Sequence, residues 1–268
     1  DVFADYAIDF MERNKDEEFF VYFPMALTHR PFEPTPDHPD FESFEPEPNK
    51  TLGASRRLAD DWDDPPKYYK SMVEYHDKVI GRVNQKLEDL GIAENTLVIY
   101  VGDNGSPQEV CSLTHQHGEV CGGKSLTVDR GTHVPLICSW PGTIISGTIN
   151  ANLVDSSDFL PTILDAAGIT PPQDYVMDGR SFLPQLKGEQ GDPRDWVFFH
   201  FDQSATGENN LRFRRYVRDY RWKLYEKGNL FDLSVDPEEE NPIDRSSDND
   251  EQSSAREKLI PVFAQMVK

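Results

Sequence analysis

Long apolar runs are missing from the sequence, since no stretch reaches the roughly 18 residues that a membrane-spanning helix needs. There is also no signal peptide at the start and no initiator Met. The chain opens with DVFADYAIDFMERNKDEEFF, the pattern of an amphipathic helix that leads into a strand. We therefore predict no membrane span, and we expect the natural N terminus to lie upstream of Asp1.

Basic residues are scarce in this chain. The 268 residues include 27 Lys and Arg against 48 Asp and Glu, which gives a formal net charge of −21. This balance excludes nucleic acid as a partner, because phosphate binding needs a basic face. If the substrate is an anion, its site has to be locally positive against this acidic background, through a metal ion and a few Lys, His or Arg side chains.

The sequence contains only three cysteines. Cys138, in PLICSWP, is typical of a buried small apolar side chain. Cys111 and Cys121 bracket two histidines as C-x3-H-x-H-x3-C, but this is not a standard zinc spacing. A local disulfide or a pair of free thiols therefore ranks above zinc, and the sequence leaves those two alternatives open.

Helical and strand-like patterns alternate up to about residue 170. Near-continuous apolar runs are typical of strands covered on both faces, and amphipathic segments are typical of helices. The predicted strands are EFFVYFPMAL (18–27), TLVIYVGD (96–103) and VPLICSWPG (134–142), and the predicted helices are 1–14, 65–91 and 154–168, the last capped by Ser156 or Ser157. This alternation predicts an α/β fold with a mainly parallel sheet flanked by helices.

The pattern changes after about residue 195. Short alternating runs with tight turns follow one another, and they are typical of a small antiparallel sheet. These runs are WVFFHFD, RFRRYVRDY, RWKLYEKG and NLFDLS, followed by the acidic loop DPEEENPIDRSSDNDEQ and a final predicted helix, SAREKLIPVFAQMVK. We therefore divide the chain into an α/β part, 1–195, and a C-terminal antiparallel subdomain with a terminal helix, 196–268.

The tripeptide Asp103-Asn104-Gly105 ends the second predicted strand. Asn-Gly is a strong hairpin signal, so a simple turn is the first explanation. A hairpin needs a second alternating strand directly afterwards, whereas a polar, interrupted and Gly-rich stretch follows here. This favours a carboxylate and a carboxamide at the carboxyl end of a buried strand, where open α/β sheets bind ligands.

Four polar residues lie where predicted strands meet loops: His29, Asp103, Asn104 and Lys124. Each alone has an ordinary explanation, as a solvated loop histidine or a surface lysine. In a parallel sheet, however, these positions meet at one edge. Two oxygen ligands, an imidazole and an ammonium together indicate an anion site built on a hard cation.

Several segments of the chain, taken together, resemble the sulfatase family of the alkaline-phosphatase-like superfamily, nearest to arylsulfatase A-type bacterial enzymes. They cover most of residues 1–242 in the family's order. The segments are FFVYFPMALTHRPF, YYKSMVEYHDKVIGRVNQKLEDLGIAENTLVIYVGDNG, GGKSLTVDRGTHVPLICSWPG, SSDFLPTILDAAGI, DGRSFLPQLKGE and WKLYEKGNLFDLSVDPEEENP. The resemblance implies the alkaline-phosphatase-like fold, with residues 1–195 as the C-terminal part of its catalytic domain.

The resemblance also implies roles for individual residues. Asp103 and Asn104 match half of the family's Ca²⁺ site. His29 matches the histidine that contacts the sulfate or the leaving-group oxygen, and Lys124 matches the lysine that binds sulfate oxygens. His117 is a weaker candidate for a substrate contact, because its loop departs from the family pattern.

Three departures from the family pattern stand out. Ser125 follows Lys124, where the family usually has Gly. No Cys or Ser begins the C/S-x-P/A-x-R motif that yields the formylglycine nucleophile, and the paired N-terminal aspartates of the Ca²⁺ site are missing as well. The chain thus resembles the C-terminal two thirds of a sulfatase, and we expect the formylglycine upstream and the chain alone to be inactive.

The function that the resemblance implies is hydrolysis of sulfate monoesters, on a sulfated small molecule or a sulfated carbohydrate, by an exported protein. One alternative is a phosphodiesterase or phosphonate hydrolase of the same superfamily. Such enzymes commonly use His-rich two-metal sites, so the ending DNG rather than Asp-His favours a single Ca²⁺. A third hypothesis is an inert, truncated binding domain.

Overall fold

The computed structural model describes residues 1–45, 67–114, 118–201 and 214–267. The helices in these ranges are α1 (Val2–Arg13), α2 (Tyr69–Asp89), α3 (Asp129–Thr132), α4 (Phe159–Ala166), α5 (Leu183–Leu186) and α6 (Asp250–Met266). The strands are β1 (Val98–Val101), β2 (Cys111–Thr114), β3 (Gly118–Cys121), β4 (Leu136–Ser139), β5 (Val197–Phe201), β6 (Arg214–Arg218), β7 (Trp222–Tyr225) and β8 (Leu230–Asp232). In the described ranges, no helix is both long and apolar enough to cross a membrane.

The chain forms two compact units. Unit 1 comprises Asp1–Val98 and Ser106–Gly122, and unit 2 comprises Ile99–Gly105 and Gly123–Lys268. Both units mix helices with strands, so the predicted α/β class with a small C-terminal antiparallel sheet is confirmed. The predicted domain boundary near residue 195 stays a prediction.

In unit 1, α1 packs against α2 through Ala4, Tyr75 and Val79, which are at most 7% exposed. The apolar spacing of both segments predicts these helices, and both predictions are confirmed. Arg82 on α2 donates a hydrogen bond to Asp1 at 2.8 Å, across the same pair of helices. A buried stripe and a polar rim therefore hold the two helices together.

Residues 18–27 also belong to unit 1, and their predicted strand is wrong. The segment has no regular secondary structure, and its side chains alternate between half-buried and exposed. Phe23, Met25 and Leu27 pack on the α1–α2 core, whereas Phe20 and Tyr22 are 65% and 79% exposed. No strand in the described ranges pairs with this segment, so its backbone forms no ladder.

Strand β1, which belongs to unit 2 from Ile99 onward, pairs with β4, and this confirms the other two predicted strands. The predicted cap of the helix that follows needs correction, because the capping residue is Asp155 rather than Ser156 or Ser157. Asp155 accepts a hydrogen bond from the Ser157 amide at 3.0 Å, and the Asp158 carboxylate accepts one from the Asp155 amide at 2.8 Å. This capping box opens a 3₁₀ turn, Ser156–Asp158, that leads into α4.

Strands β5, β6, β7 and β8 form an antiparallel sheet in this order, as predicted. Its core consists of buried side chains from the sheet and from α6, namely Val217, Trp222, Leu224, Leu230, Ala255, Leu259 and Val262. Helix α6 begins at Asp250, four residues before the predicted start, because Asn249 and Gln252 form a capping box within the stretch interpreted as a loop. The sheet and α6 thus share one apolar core.

Candidate functional site

Asp103 and Asn104 follow β1 after one intervening residue, Gly102, at the end predicted from the sequence. The Asp103 side chain is exposed, and Asn104 is half-buried. The amide of Gly102 donates to the carbonyl of Pro135 at 3.0 Å, which continues the pairing of β1 with β4 up to the turn. The strand pair therefore fixes the backbone from which a carboxylate and a carboxamide project.

The backbones of three glycines hold this turn against the loop that carries Lys124. The Gly105 amide donates to the Gly131 carbonyl at 2.9 Å, and a Cβ on Gly105 would lie 1.9 Å from the Arg130 oxygen. A Cβ on Gly123 would lie 2.6 Å from the Arg130 carbonyl carbon, and one on Gly131 would lie 2.4 Å from the Gly123 oxygen. Only glycine allows these approaches, which hold the Asp103–Asn104 turn and the Gly123–Lys124 turn against the same Arg130–Gly131 backbone.

Lys124 is half-buried in a tight turn in which the Leu126 amide donates to the Gly123 carbonyl at 2.8 Å. Ser125 has a φ of 70°. This left-handed conformation disfavours any residue with a Cβ, by about 1–2 kcal/mol. The backbone therefore explains why glycine suits the position after the lysine, and why Ser125 is a strained substitute.

His29 lies in unit 1, in the loop after residues 18–27, and its side chain is exposed. Its ring Nδ1 is 2.8 Å from the Arg30 carbonyl, and its amide donates to Ala26 at 2.9 Å. Cis peptide bonds precede Thr28 and Pro31, close on either side of it. The predicted clustering of His29 with Asp103, Asn104 and Lys124 stays a prediction, because the latter three belong to unit 2.

The cysteine alternatives are resolved in the hairpin of β2 and β3. Cys111 lies opposite Cys121 in the antiparallel register, and their sulfurs form a disulfide. The disulfide is therefore favoured over two free thiols, and zinc ligation by these sulfurs is excluded. Burial raises the pKa of Cys138 to about 11, so this thiol stays protonated near neutral pH. His117 lies outside the described residues.

The donor set after β1 suits a hard cation, since Ca²⁺ prefers carboxylate and carbonyl oxygens. Two oxygens are fewer than the six to eight that Ca²⁺ takes. In the described part of the chain, no group of three or more His, Cys, Asp or Glu side chains is arranged to hold a metal ion. Asp103 and Asn104 thus fit Ca²⁺ as two of its ligands, and other ligands have to complete the site.

Sequence reasoning misses one feature of this region, a buried lysine on β7. Lys223 is fully buried, and its ammonium contacts the carbonyl of Thr127 in the loop after Lys124. A lysine between Trp222 and Leu224 in an alternating strand is expected to face solvent. No local signal reveals this contact, since its partner is 96 residues away.

Two family models match the chain. The model described as Sulfatase matches residues 1–169, and the model described as N-sulphoglucosamine sulphohydrolase, C-terminal, matches residues 122–265. Between them they cover both compact units.

Curated relatives and a solved structure agree with the family models. The chain is 28% identical over 220 residues to an arylsulfatase of Hemicentrotus pulcherrimus, covering 82% of this chain and 36% of that protein. It is 30% identical over 237 residues to human N-acetylgalactosamine-6-sulfatase, covering 85% of this chain and 40% of that protein. The chain thus spans well under half the length of these relatives.

The structure of BT4656 in complex with its substrate D-glucosamine-2-N,6-O-disulfate has a TM-score of 0.71 to this chain at 21% identity. The match covers 98% of this chain and 69% of that one. The fold is therefore that of the alkaline-phosphatase-like sulfatases, as the sequence resemblance implies. With a family model over more than half of its residues, this chain belongs to the sulfatase family.

Proposed function

We propose that this chain provides part of an active centre that hydrolyses sulfate monoesters. Asp103 and Asn104 supply oxygen ligands for Ca²⁺, Lys124 holds the sulfate oxygens, and His29 contacts the sulfate or the leaving-group oxygen. The observation that supports the proposal is the close backbone approach of Gly105 to Arg130 and Gly131, because Gly105 directly follows Asp103 and Asn104 and Gly131 belongs to the loop that carries Lys124.

The chemistry of sulfuryl transfer explains these residue types. Negative charge builds on the bridging oxygen as the ester bond breaks, and fixed cationic donors stabilise that charge. Ca²⁺, when bound, neutralises charge on the sulfate oxygens, while Lys124 orients them. An imidazolium at His29 is suited to protonate the leaving oxygen. Such local cations are required because the chain as a whole carries a charge of −21.

Sulfated carbohydrates are the substrate class that we favour. The relatives include an N-acetylgalactosamine-6-sulfatase, and a structural neighbour binds a disulfated glucosamine. Export of the protein is part of the proposal, because the disulfide between Cys111 and Cys121 suits an oxidising compartment.

We further propose that the chain by itself has no useful sulfatase activity and binds Ca²⁺ weakly. Its 268 residues contain no C/S-x-P/A-x-R motif, so they carry no precursor of the formylglycine nucleophile. Two oxygen ligands leave most of the Ca²⁺ coordination to water. A preceding segment that bears the formylglycine and the paired aspartates should supply both the nucleophile and the further Ca²⁺ ligands.

The test is an assay with a chromogenic aryl sulfate and with D-glucosamine disulfate, in the presence of Ca²⁺. It compares the chain alone with a polypeptide in which a matured formylglycine-bearing segment precedes Asp1. In the active polypeptide, Lys124→Ala should reduce kcat by roughly 10²–10³-fold, as for the loss of one electrostatic donor. Lys227→Ala is the matched control, because Lys227 is an exposed lysine in the turn between β7 and β8.

Three outcomes would overturn the proposal. Turnover by the chain alone would place the nucleophile within these residues. An unchanged kcat in Lys124→Ala would remove that lysine from the site. Faster hydrolysis of a phosphate diester than of any sulfate ester would favour the phosphodiesterase alternative.

A further inference from the structure

Among the described residues of unit 2, Lys223 carries the most deeply buried charge. The residue has 0% exposure. Its Nζ contacts the Thr127 carbonyl, donates to a Glu239 carboxylate oxygen at 2.5 Å, and lies 3.9 Å from the centre of the Tyr216 ring. A buried ammonium is costly unless such partners surround it, and these three partners match its three N–H donors. Lys223 therefore makes internal contacts and does not contribute to the charged surface.

Glu239 adopts an unusual backbone conformation to face Lys223. Its φ is 60°, in the left-handed region that residues other than glycine rarely adopt. Its side chain is 4% exposed, and it also accepts a hydrogen bond from the Tyr225 hydroxyl. Burial lowers the pKa of Lys223, and the Glu239 carboxylate opposes that change by favouring the charged ammonium.

Thr127 is only three residues from Lys124, and the segment between them is a tight turn. The Leu126 amide closes this turn on the Gly123 carbonyl at 2.8 Å. Beyond Thr127 the chain reaches Gly131, which accepts the hydrogen bond from Gly105. The carbonyl that Lys223 contacts is thus midway between the lysine turn and the glycine contact.

The same sheet and the loop after β8 hold this segment at further points. Each contact joins a side chain of residues 127–132 to one from residues 216–238. The contacts are Thr127 Oγ1 with the Tyr225 hydroxyl at 2.8 Å, Asp129 with Arg218 at 2.7 and 2.8 Å, Arg130 with Glu238 at 2.7 Å, and Thr132 with the Tyr216 hydroxyl at 3.1 Å. These contacts join side chains to side chains, whereas Lys223 contacts the backbone of the segment, at the Thr127 carbonyl.

We propose that Lys223 is a positioning residue for Lys124, and that the C-terminal sheet sets the place of the sulfate-binding lysine through the carbonyl of Thr127. The inference rests on the proposed function of Lys124. It makes residues 214–239 part of the active centre's support, although none of them is proposed to touch the substrate.

The test uses a neutral replacement of the buried pair, Lys223→Met with Glu239→Gln, so that no unpaired carboxylate is left inside. The matched control is Arg256→Met with Asp248→Asn, a buried pair of the same unit whose arginine donates to the carbonyls of Gly228 and Ile243. Hydrogen exchange at the Leu126 and Gly131 amides reports the position of the segment. The first pair should accelerate this exchange roughly 10–100-fold, the range for one lost charged hydrogen bond, and the control should not.

Kinetics in the formylglycine-bearing polypeptide separate positioning from general destabilisation. The Lys223 and Glu239 replacement should lower kcat with little change in KM, because the lysine loses its alignment in the transition state. Adding Lys124→Ala to that replacement should give no further loss beyond Lys124→Ala alone, since both act through one ammonium. A merely structural role would give additive losses.

The outcomes distinguish this inference from the proposed function. Unchanged exchange at Leu126 and Gly131 in a folded variant, or additive kinetic losses, would overturn the positioning role. If Lys124→Ala leaves the binding of inorganic sulfate and kcat unchanged, the proposed function fails, while the exchange result still measures the contact itself. Glu239→Gln alone is the milder variant if the double replacement does not fold, and it should show a smaller acceleration at the same amides.

Discussion

The extended segment 18–27 and the C-terminal sheet differ in the burial of their aromatic side chains. In the segment, Phe20 and Tyr22 are 65% and 79% exposed. In the sheet, Tyr216 and Trp222 are 2% and 8% exposed. Both regions are rich in apolar residues and extended, so composition alone does not decide which of them is buried.

The difference lies in where each region finds its partner. Strands β6 and β7 are joined by a three-residue turn, and Val217 lies opposite Leu224 in their register. The partners of β6 on both sides are the strands next to it in the chain, so the pairing closes short loops at little entropic cost. Residues 18–27 have no partner strand in the described ranges. Strands β1 and β4 also pair although β2, β3 and α3 separate them in the chain, so what residues 18–27 lack is a partner strand and not a strand-like sequence.

The largest expected effect is a cavity in the core of the C-terminal sheet. Leu224→Ala should lower the free energy of unfolding by about 2–5 kcal/mol, because Leu224 is 2% exposed. Phe20→Ala should change it by less than about 0.5 kcal/mol, as expected for an exposed side chain. Urea unfolding followed by circular dichroism measures both. Equal losses from the two substitutions would mean that the segment is as tightly packed as the sheet.

The hairpin of β2 and β3 pairs locally but has no core, since all four residues of β2 are exposed. The disulfide between Cys111 and Cys121 stabilises the hairpin instead. Replacing Cys111 and Cys121 by Ser should lower the free energy of opening by about 2–3 kcal/mol, the value for a loop of this length. Exchange of the Gly122 amide, which donates to Val110, reports this opening. Cys138→Ser is the control, and a similar acceleration there would contradict the assignment.

Asp219, in the turn between β6 and β7, makes the stability of this strand pair depend on pH. Burial would raise the pKa of Asp219, but hydrogen bonds from Lys258 and from the amides of Trp222 and Arg221 outweigh burial and lower it. The carboxylate therefore stabilises the fold above the ordinary carboxyl pKa near 4, and this contribution is lost as the pH falls through the lower folded value.

Asp219→Asn should thus reduce the free energy of unfolding by about 1–2 kcal/mol at pH 7 and by less at pH 3. Urea midpoints at several pH values measure the difference between variant and parent. Asp174→Asn, at an exposed position of the same unit, is the matched control. A difference that stays constant from pH 7 to pH 3 would show that the charge of Asp219 plays no part.

The smallest effect concerns the turn beside Lys124. Ser125→Gly should raise the free energy of unfolding by about 0.5–1 kcal/mol, because glycine adopts a φ of 70° without strain although it gains entropy when unfolded. Ser125→Ala keeps the Cβ and should bring no gain. Thermal unfolding of the three chains distinguishes these cases, and a gain in the alanine variant would attribute the effect to the hydroxyl.

Much of the fold is predictable from periodicity and turn residues. Helices α1 and α2, strands β1 and β4, and the antiparallel sheet follow from local pattern. The error at 18–27 arises because a strand also needs a distant partner, which periodicity does not report. The early start of α6 arises because Asn249 supplies a cap inside an acidic stretch that composition assigns to a loop.

The candidate site is predictable from the sequence to a similar extent. Strand ends that meet at one edge predict that the Asp103–Asn104 turn lies near the Lys124 turn. The backbone hydrogen bond from Gly105 to Gly131 agrees with this, while the clustering of the predicted side chains stays a prediction. The contact between Lys223 and Thr127 is not predictable, because a lysine in an alternating strand gives no sign of the distant carbonyl that it meets. The place of His29 relative to these turns stays a prediction.

The contact among Gly105, Gly123 and Gly131 has a genetic consequence. Every glycine codon begins with two guanines, and each single-base change that alters the amino acid adds a Cβ. At Gly105 and Gly131 that atom would lie 1.9 and 2.3 Å from a backbone oxygen, and at Gly123 it would lie 2.6 Å from a backbone carbon. No missense change at these three codons is conservative. At Gly105 the added atom is expected to push the Asp103–Asn104 turn away from the Arg130 backbone, and at Gly123 and Gly131 it is expected to distort the loop that carries Lys124.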